Sequence, residues 1–249
     1  MTIERPAELE RLVSTSEAIL SLQDLFAAEE PLDEVLQRVA AAAARAIPDA
    51  AGVSITVLDD SGARTAACTD ERLLRLDAAQ YAGGRGPCLD AASVRQPVRV
   101  TLERDDDRWP DFISAARREG VSATLSLPLL MGTPGRALDL LGSLNVYSSS
   151  AHAFDPFDEE LMRLYTVTAG AAITNARRWQ LSRDSTENLQ RALTSRAVID
   201  QAKGALQAIH GCTADEAFDR LVRKSQDANV KLYTVAQELL DSLRAPRHD

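Results

Sequence analysis

No run of apolar residues in this 249-residue chain approaches the ~18 that a bilayer-spanning helix needs, which excludes a helical membrane span. Lysine is nearly missing: Lys203, Lys224 and Lys231 are the only three, and the first 202 residues contain none. A phosphoryl receiver needs a lysine to neutralise its phosphoryl charge. The acidic pair Asp59-Asp60 behind a hydrophobic strand is therefore not read as such a site. Cysteine is scarce and odd in number: Cys68, Cys88 and Cys212 lie far apart, a usage expected of a reducing compartment without disulfides. No Cys/His group has zinc or iron–sulfur spacing, so no metal or cofactor is expected. The glycine-rich Gly83-Gly84-Arg85-Gly86 lacks the Lys-Ser/Thr of a phosphate-binding loop. Met1 to Glu10 holds three acidic residues and no apolar core of a secretory signal, so the expected location is cytoplasmic.

Positive charge is in deficit as well. Twenty-eight Lys+Arg face 37 Asp+Glu, a net charge of −9, which argues against nonspecific binding of nucleic acid or anionic membrane by the chain as a whole. The deficit is uneven. Residues 187–249 carry nine basic and nine acidic groups, whereas the first 186 carry nineteen and twenty-eight. Composition thus separates an acidic N-terminal domain from a different C-terminal module.

Hydrophobic periodicity predicts a helix over 6–28 and another from Pro31 to just before Pro48. Val53-Ser54-Ile55-Thr56-Val57 alternates as a strand, the turn residues Asp59 to Gly62 follow, and Arg64 to Thr69 returns as its hairpin partner. The stretch up to Pro87 is read as irregular. After it come a short helix Cys88 to Val94, a strand Val98 to Val100 and a helix Phe112 to Glu119. Strands Thr124 to Leu130 and Leu141 to Tyr147 are joined through Gly132-Thr133-Pro134-Gly135. A helical tract runs from about Asp158 to Leu181, completing an α+β pattern around an antiparallel sheet. Helices at 187–209, 213–225 and 231–243 make a three-helix C-terminal module, with Thr213 and Glu216 spaced as a capping box. Steps of four and three from Leu161 through Tyr165, Thr168, Ala172, Asn175, Trp179, Ser182, Thr186 and Leu189 to Leu193 trace a weak coiled-coil seam. It reads either as a helix packed on its own sheet and followed by a hinge, or as a continuous helix that pairs two protomers.

The N-terminal region resembles a GAF domain over roughly 29–178. The likeness is carried by Gly52-Val53-Ser54-Ile55-Thr56, Gly86-Pro87-Cys88-Leu89-Asp90-Ala91-Ala92, Gln96-Pro97-Val98-Arg99-Val100, Leu144-Asn145-Val146-Tyr147 and Phe154-Asp155-Pro156-Phe157-Asp158-Glu159. The resemblance implies a regulatory module that senses a small molecule or redox signal and often dimerises. Cyclic-nucleotide-binding members pair Asn-Lys with Phe-x-x-x-Asp-Glu. Here Phe154, Asp158 and Glu159 match, but Asn145 precedes Val146, so no cyclic-nucleotide site is read. Phe154 and the acidic pair also fit a core aromatic and a helix N-terminus. Cys88 opens a helix, where a thiolate is stabilised, or is a small buried core residue; His152 is the domain's sole histidine.

The C-terminal segment contains Arg196-Ala197-Val198-Ile199-Asp200-Gln201-Ala202-Lys203-Gly204-Ala205-Leu206, then Glu216-Ala217-Phe218 and Ser225 through Asn229 to Lys231-Leu232. It is similar to an ANTAR domain across essentially its whole length, with Gln207 where the family commonly has Met. The resemblance implies binding of paired RNA stem-loops as a dimer, in transcription antitermination. On a helical wheel Val198, Ile199, Ala202, Ala205, Leu206 and Ile209 form an apolar arc, with Arg196 and Lys203 about 20° apart at its rim. The RNA-contacting set expected is Arg196, Lys203, Gly204, Ser225, Asn229 and Lys231. Gly204 costs ~1 kcal/mol against Ala inside a helix, which points to a close approach by RNA or a neighbouring helix. The competing role for Arg196 is an ion pair with Asp200.

The expected architecture is therefore α+β: an N-terminal helix (1–28), a GAF-like sensor (29–178), a helical linker (179–186) and a three-helix ANTAR module (187–246). The function expected is a signal-responsive RNA-binding antiterminator working as a homodimer, and not an enzyme. Two rivals stand beside it. One is a DNA-binding regulator with 231–243 as recognition helix, whose cations are only Lys231 and the adjoining Arg244. The other is a Cys88-based redox enzyme of GAF-like fold.

Overall fold

The computed structural model describes residues 7–27, 29–105, 107–132 and 138–244. It divides into two compact units, Met1–Gln180 and Leu181–Asp249. Among the described residues no helix is long and apolar enough to cross a membrane.

In the first unit, strands β1 (Gly52–Asp59), β2 (Gly62–Cys68), β3 (Val98–Thr101), β4 (Ala123–Met131) and β5 (Asp139–Ser148) form one antiparallel sheet in the order β2-β1-β5-β4-β3. The alternation in β1, β4 and β5 turns Val53, Ile55, Leu125, Leu127, Leu129, Leu144 and Val146 to one face. That face is covered by α1 (Ala7–Ala27), α2 (Leu32–Ala46) and the first part of α6 (Pro156–His210), whose Leu36, Val39, Tyr165 and Ile173 are fully buried there. Helix α2 forms where expected, with Pro31 before it and Asp33 and Glu34 favouring the positive end of its dipole. Two glycines permit close approaches, one between α6 and the sheet and one between strands β5 and β1. A Cβ on Gly170 of α6 would sit 2.1 Å from the Leu130 carbonyl oxygen, and one on Gly142, at φ +157, 1.9 Å from that of Thr56.

The opposite face is covered by α3 (Leu73–Gly83), α4 (Pro87–Val94) and α5 (Pro110–Arg118), with Leu76, Phe112, Ile113 and Tyr147 in a second apolar cluster. Helix α3 corrects the reading of this stretch as irregular. The glycines end a helix rather than forbid one, since Gly84 takes the left-handed C-cap conformation at φ 61 and donates to the Gln80 and Tyr81 carbonyls. Of the expected Gly132–Gly135 turn, residues 133–135 lie outside the described residues, as do residues 6 and 28 of the first helix.

Each of the two readings of the seam is met in part: its first positions pack on the protein's own sheet, and no hinge follows. Leu161, Tyr165 and Ala172 are buried in the first unit's own core, and the Tyr165 hydroxyl donates to the Val39 carbonyl at 2.7 Å. Those positions have no face left for a partner, whereas Leu189 and Leu193 further along are exposed. Helical residues run without a break through the expected hinge, from Pro156 to His210.

In the second unit the last turns of α6 meet α7 (Ala214–Ala228) and α8 (Leu232–Arg244) around Ala202, Leu206, Ala217, Leu221, Val235 and Ala236. Val198 and Ile199 of the predicted arc pack against this core, but Ile209 is 53% exposed because the helix ends one residue later. The capping box forms: Glu216 N–H donates to Thr213 Oγ1 at 3.3 Å and Thr213 N–H to Glu216 Oε2 at 2.9 Å. The bond from the Thr213 backbone holds the Glu216 carboxyl below its ordinary range.

Candidate nucleic-acid interface and sensor core

The seven-residue spacing of Arg196 and Lys203 brings both to one side of α6, and Asp200 lies between them. Lys203 Nζ is 3.2 Å from Asp200 Oδ1, and Arg196 Nε is 3.9 Å from Asp200 Oδ2. The Arg196 side chain is 83% exposed and its contact with Asp200 is long, so the ion pair contributes little stability. The three groups line one open depression of about 440 Å³, together with Ile199 and Phe218. Phe218 arrives from α7, and the Lys203 ammonium stands 5.9 Å from its ring centroid. The sequence motif contained Phe218 without giving it a role. Its signal was an aromatic next to the buried Ala217, but only the packing of α7 on α6 brings it beside the cations.

Gly204 follows Lys203 on the exposed side of the helix, and a Cβ there would meet nothing within 4 Å. No described residue of this chain therefore makes the close approach expected at Gly204. Ser225, Asn229 and Lys231 lie at the α7–α8 turn, outside the Arg196–Lys203 depression. Two of them build that turn. Asn229 is the left-handed C-cap of α7 at φ 52, its N–H donating to the Ser225 and Gln226 carbonyls, and Ser225 Oγ donates to the Val230 carbonyl at 2.5 Å. A second cation group missed from sequence, Arg220, Arg223 and Lys224, lines another shallow depression on α7 with Asp227.

The first unit holds a different kind of site. Strand alternation usually means one face to the core and one to water. Here the polar face is buried too, beneath α3 and α4: Ser54, Thr56, Thr124, Ser126, Ser143 and Asn145 are almost wholly inaccessible. Asn145 Nδ2 donates to Thr56 Oγ1 at 3.0 Å and to Ser54 Oγ at 3.2 Å. The Tyr147 hydroxyl donates to Asp77 Oδ1 at 2.6 Å, Thr65 Oγ1 donates to Asp77 Oδ2 at 2.8 Å, and the Tyr81 hydroxyl bonds both Thr56 and Thr65. Burial pushes the Asp77 carboxyl up, against the pull of the Tyr147 and Thr65 hydroxyls. Among the described residues Gln80 Nε2, Ser126 Oγ, Ser143 Oγ and Asn145 Oδ1 are buried with no hydrogen-bond partner. Such groups are uncommon in native interiors, since each forfeits its bonds to water.

Cys88 is fully buried at the start of α4, its backbone N–H donating to Gln80 Oε1 at 3.0 Å. Burial, then the nearby Asp77, push its thiol far up. Desolvation thus overrides the helix terminus expected to favour a thiolate. Phe154 is a core side chain, and Asp158 is buried at the α6 N-terminus against Arg11 at 2.9 Å. Both therefore do structural work.

Comparison with known proteins agrees with this geometry. Residues 29–174 match the GAF domain family model, and residues 187–240 match that of the ANTAR domain. The transcriptional regulatory protein PdtaR of Mycobacterium tuberculosis is 23% identical over 196 residues, spanning 72% of this chain and 89% of its own. A solved structure from Burkholderia vietnamiensis, described as a GAF sensor protein, shares the fold at a TM-score of 0.52 and 16% identity, covering 72% of this chain and 98% of that one. The GAF domain of a phosphoenolpyruvate-protein phosphotransferase from Coxiella burnetii gives a TM-score of 0.49 at 18% identity, covering 67% and 96%. With more than half its length matched as a five-stranded α+β sensor and a helical bundle behind it, the chain belongs to the GAF domain family and carries a C-terminal ANTAR domain, a sensor linked to an RNA-binding antitermination module.

Proposed function

We propose that this protein is a signal-responsive regulator that binds paired stem-loops of leader RNA and acts as a transcription antiterminator. Both modules are regulatory rather than catalytic. The observation that carries the reading is the Arg196–Asp200–Lys203 rim. Two cations are held seven residues apart on the ANTAR bundle, on a surface whose core-facing side is already occupied by Ala202 and Leu206. Gly204 adjoins that rim with open space above it, which suits a close approach by RNA. Lys231 extends the contact at the α7–α8 turn, where Ser225 and Asn229 hold the loop conformation. The similarity to a transcriptional regulatory protein supports the same class.

The working boundaries are an N-terminal helix over 1–28, the sensor over 29–178, a helical linker over 179–186 and the RNA-binding domain over 187–246; residues 245 and 246 lie outside the described residues. The signal is a small molecule or a redox change, and the interior of the sensor favours the former. The buried face around Asn145, Ser126 and Ser143 has hydrogen-bonding groups without partners, while Cys88 is fully buried and its thiol pushed up by that burial, which disfavours a thiolate. Two copies of the chain pair through the exposed Leu181, Leu189 and Leu193 of α6.

The test is a mobility shift of the full chain with a paired hexaloop stem-loop RNA, beside single-loop RNA and duplex DNA. Arg196→Ala and Lys203→Ala remove exposed charge without opening a cavity, so the melting temperature should hold. Each should weaken RNA binding by about 1–3 kcal/mol, the scale of a charge-assisted hydrogen bond. Preference for duplex DNA, or full RNA affinity in both variants, would overturn the assignment.

A further inference from the structure

We propose that the depression between α6 and α7 is a stacking pocket for one unpaired nucleobase of the bound RNA, with Phe218 as its platform. The inference rests on the RNA-binding reading above, and adds to it a residue and a ligand chemistry.

The apolar floor is small. Phe218, 39% exposed, the half-buried Ile199 and Ala192 supply it, and the rim is Ser195, Arg196, Asp200 and Lys203. Three charged side chains interrupt that lining, whereas a partner helix would need a continuous apolar stripe. A bare phosphate has no use for a ring. A flat π-surface with cations at its edge and one side open is the setting in which single-stranded bases stack. A base already stacked in a duplex cannot enter, so the ligand is a loop nucleotide turned out of its stack.

Asp200 decides which part of the nucleotide lies where. Its carboxylate stands between the two cations, 3.2 Å from Lys203 Nζ and 3.9 Å from Arg196 Nε. A carboxylate repels phosphate and accepts N–H donors, and its oxygens offer more lone pairs than these two contacts use. A base edge carrying an amino or imino hydrogen therefore faces Asp200, while the phosphates on either side lie outward. There the largely exposed guanidinium of Arg196 presents its remaining N–H groups. Lys203, already 5.9 Å from the Phe218 centroid, flanks the stacked base as a second cation.

The experiment uses the full chain and the paired stem-loop RNA, with 2-aminopurine replacing each loop nucleotide in turn. Stacking on the ring should quench the fluorophore at one loop position. Phe218→Leu should abolish that quenching and weaken binding about 5- to 150-fold, the range for loss of one base–aromatic stack. Phe218→Tyr should keep both. An abasic nucleotide at the quenched position should cost wild type at least as much as Phe218→Leu does, since it also removes the donor to Asp200, and should cost the leucine variant less than it costs wild type. Tight RNA binding that survives Phe218→Leu overturns the pocket and leaves the RNA-binding assignment standing. Failure of the wild type to bind any stem-loop overturns both. Should the leucine variant not fold, the wild-type arm decides: an abasic scan with no penalty at any loop position refutes the stacking site.

Discussion

Replacing Gly204 with alanine separates the stability of the ANTAR module from its function. The residue is in the interior of α6, six positions before the helix ends at His210, and a Cβ there meets nothing within 4 Å. Its φ is not among the positive ones, so the helical backbone accepts alanine without strain. The gain is the helix-propensity difference, about 0.8–1 kcal/mol, reinforced by the smaller entropy of the unfolded chain. For a unit of this size that is a rise of about 4–8 °C in its melting transition. Gly204 adjoins Lys203 on the exposed surface, so the same methyl group stands where the RNA backbone is expected to come close. RNA affinity should fall roughly tenfold, about 1.4 kcal/mol, while the fold becomes more robust. Circular-dichroism melts and an RNA titration on the same preparations check both halves. A lower melting temperature would refute the reading of open space at this position. A higher one with unchanged affinity would remove Gly204 from the RNA surface.

Asp77 has its carboxyl pushed up by burial, so whatever stability it contributes is complete below its unfolded value of ~3.9 and is lost as pH rises through the native value. Asp77→Asn stays neutral throughout; urea titrations from pH 4 to 8 should show wild type losing stability relative to the variant as pH rises, and parallel profiles would refute a raised Asp77. Leu189→Glu with Leu193→Glu places charge on two exposed apolar positions of α6. Light scattering should then report a monomer with an unchanged thermal melt, and a persisting dimer would move the pairing face elsewhere. With Arg196, Lys203 and Lys231 the only cations of each module placed on the RNA, the logarithm of RNA affinity should fall with the logarithm of salt at a slope of at most about −2.1 per stem-loop. A much steeper slope would point to a wider basic surface that includes Arg220, Arg223 and Lys224.

What could be read from the sequence depended on whether the information was local. Arg196 and Lys203 share a helix, so spacing alone placed them on one side, and Thr213 with Glu216 announced its capping box at a fixed separation. Strands β1, β4 and β5 showed their alternation openly. Its meaning did not follow, because period two separates the faces without telling which is wet: the polar face of Ser54, Thr56 and Asn145 is buried only because α3 and α4 cover it. Helix α3 itself was hidden by the glycines at its end. The seam from Leu161 was ambiguous at its start for a related reason, since a stripe of Leu161, Tyr165 and Ala172 suits a partner helix and the protein's own sheet equally well, and the sheet is nearer in sequence. Phe218 joined the cations through tertiary packing, which no spacing rule encodes.

The charge split then acquires a physical sense. All of the net charge of −9 belongs to the first 186 residues, where lysine is absent, while residues 187–249 balance nine cations against nine carboxylates. An acidic sensor repels a polyanion and discourages RNA from lying across it, at ranges up to about a Debye length of ~8–10 Å. A neutral ANTAR module cannot hold RNA by long-range attraction, so affinity has to come from short-range contacts that demand one geometry. Asp200, seated between the two cations, sharpens this, because it weakens their pull on any passing phosphate and favours only a ligand that brings an N–H donor to the same place. Under the proposed function, a regulator that chooses a few stem-loops among many transcripts would gain selectivity from that arrangement at the expense of raw affinity. In the proposed dimer, pairing two modules would recover the affinity, since the second stem-loop would then bind at the high effective concentration set by the first.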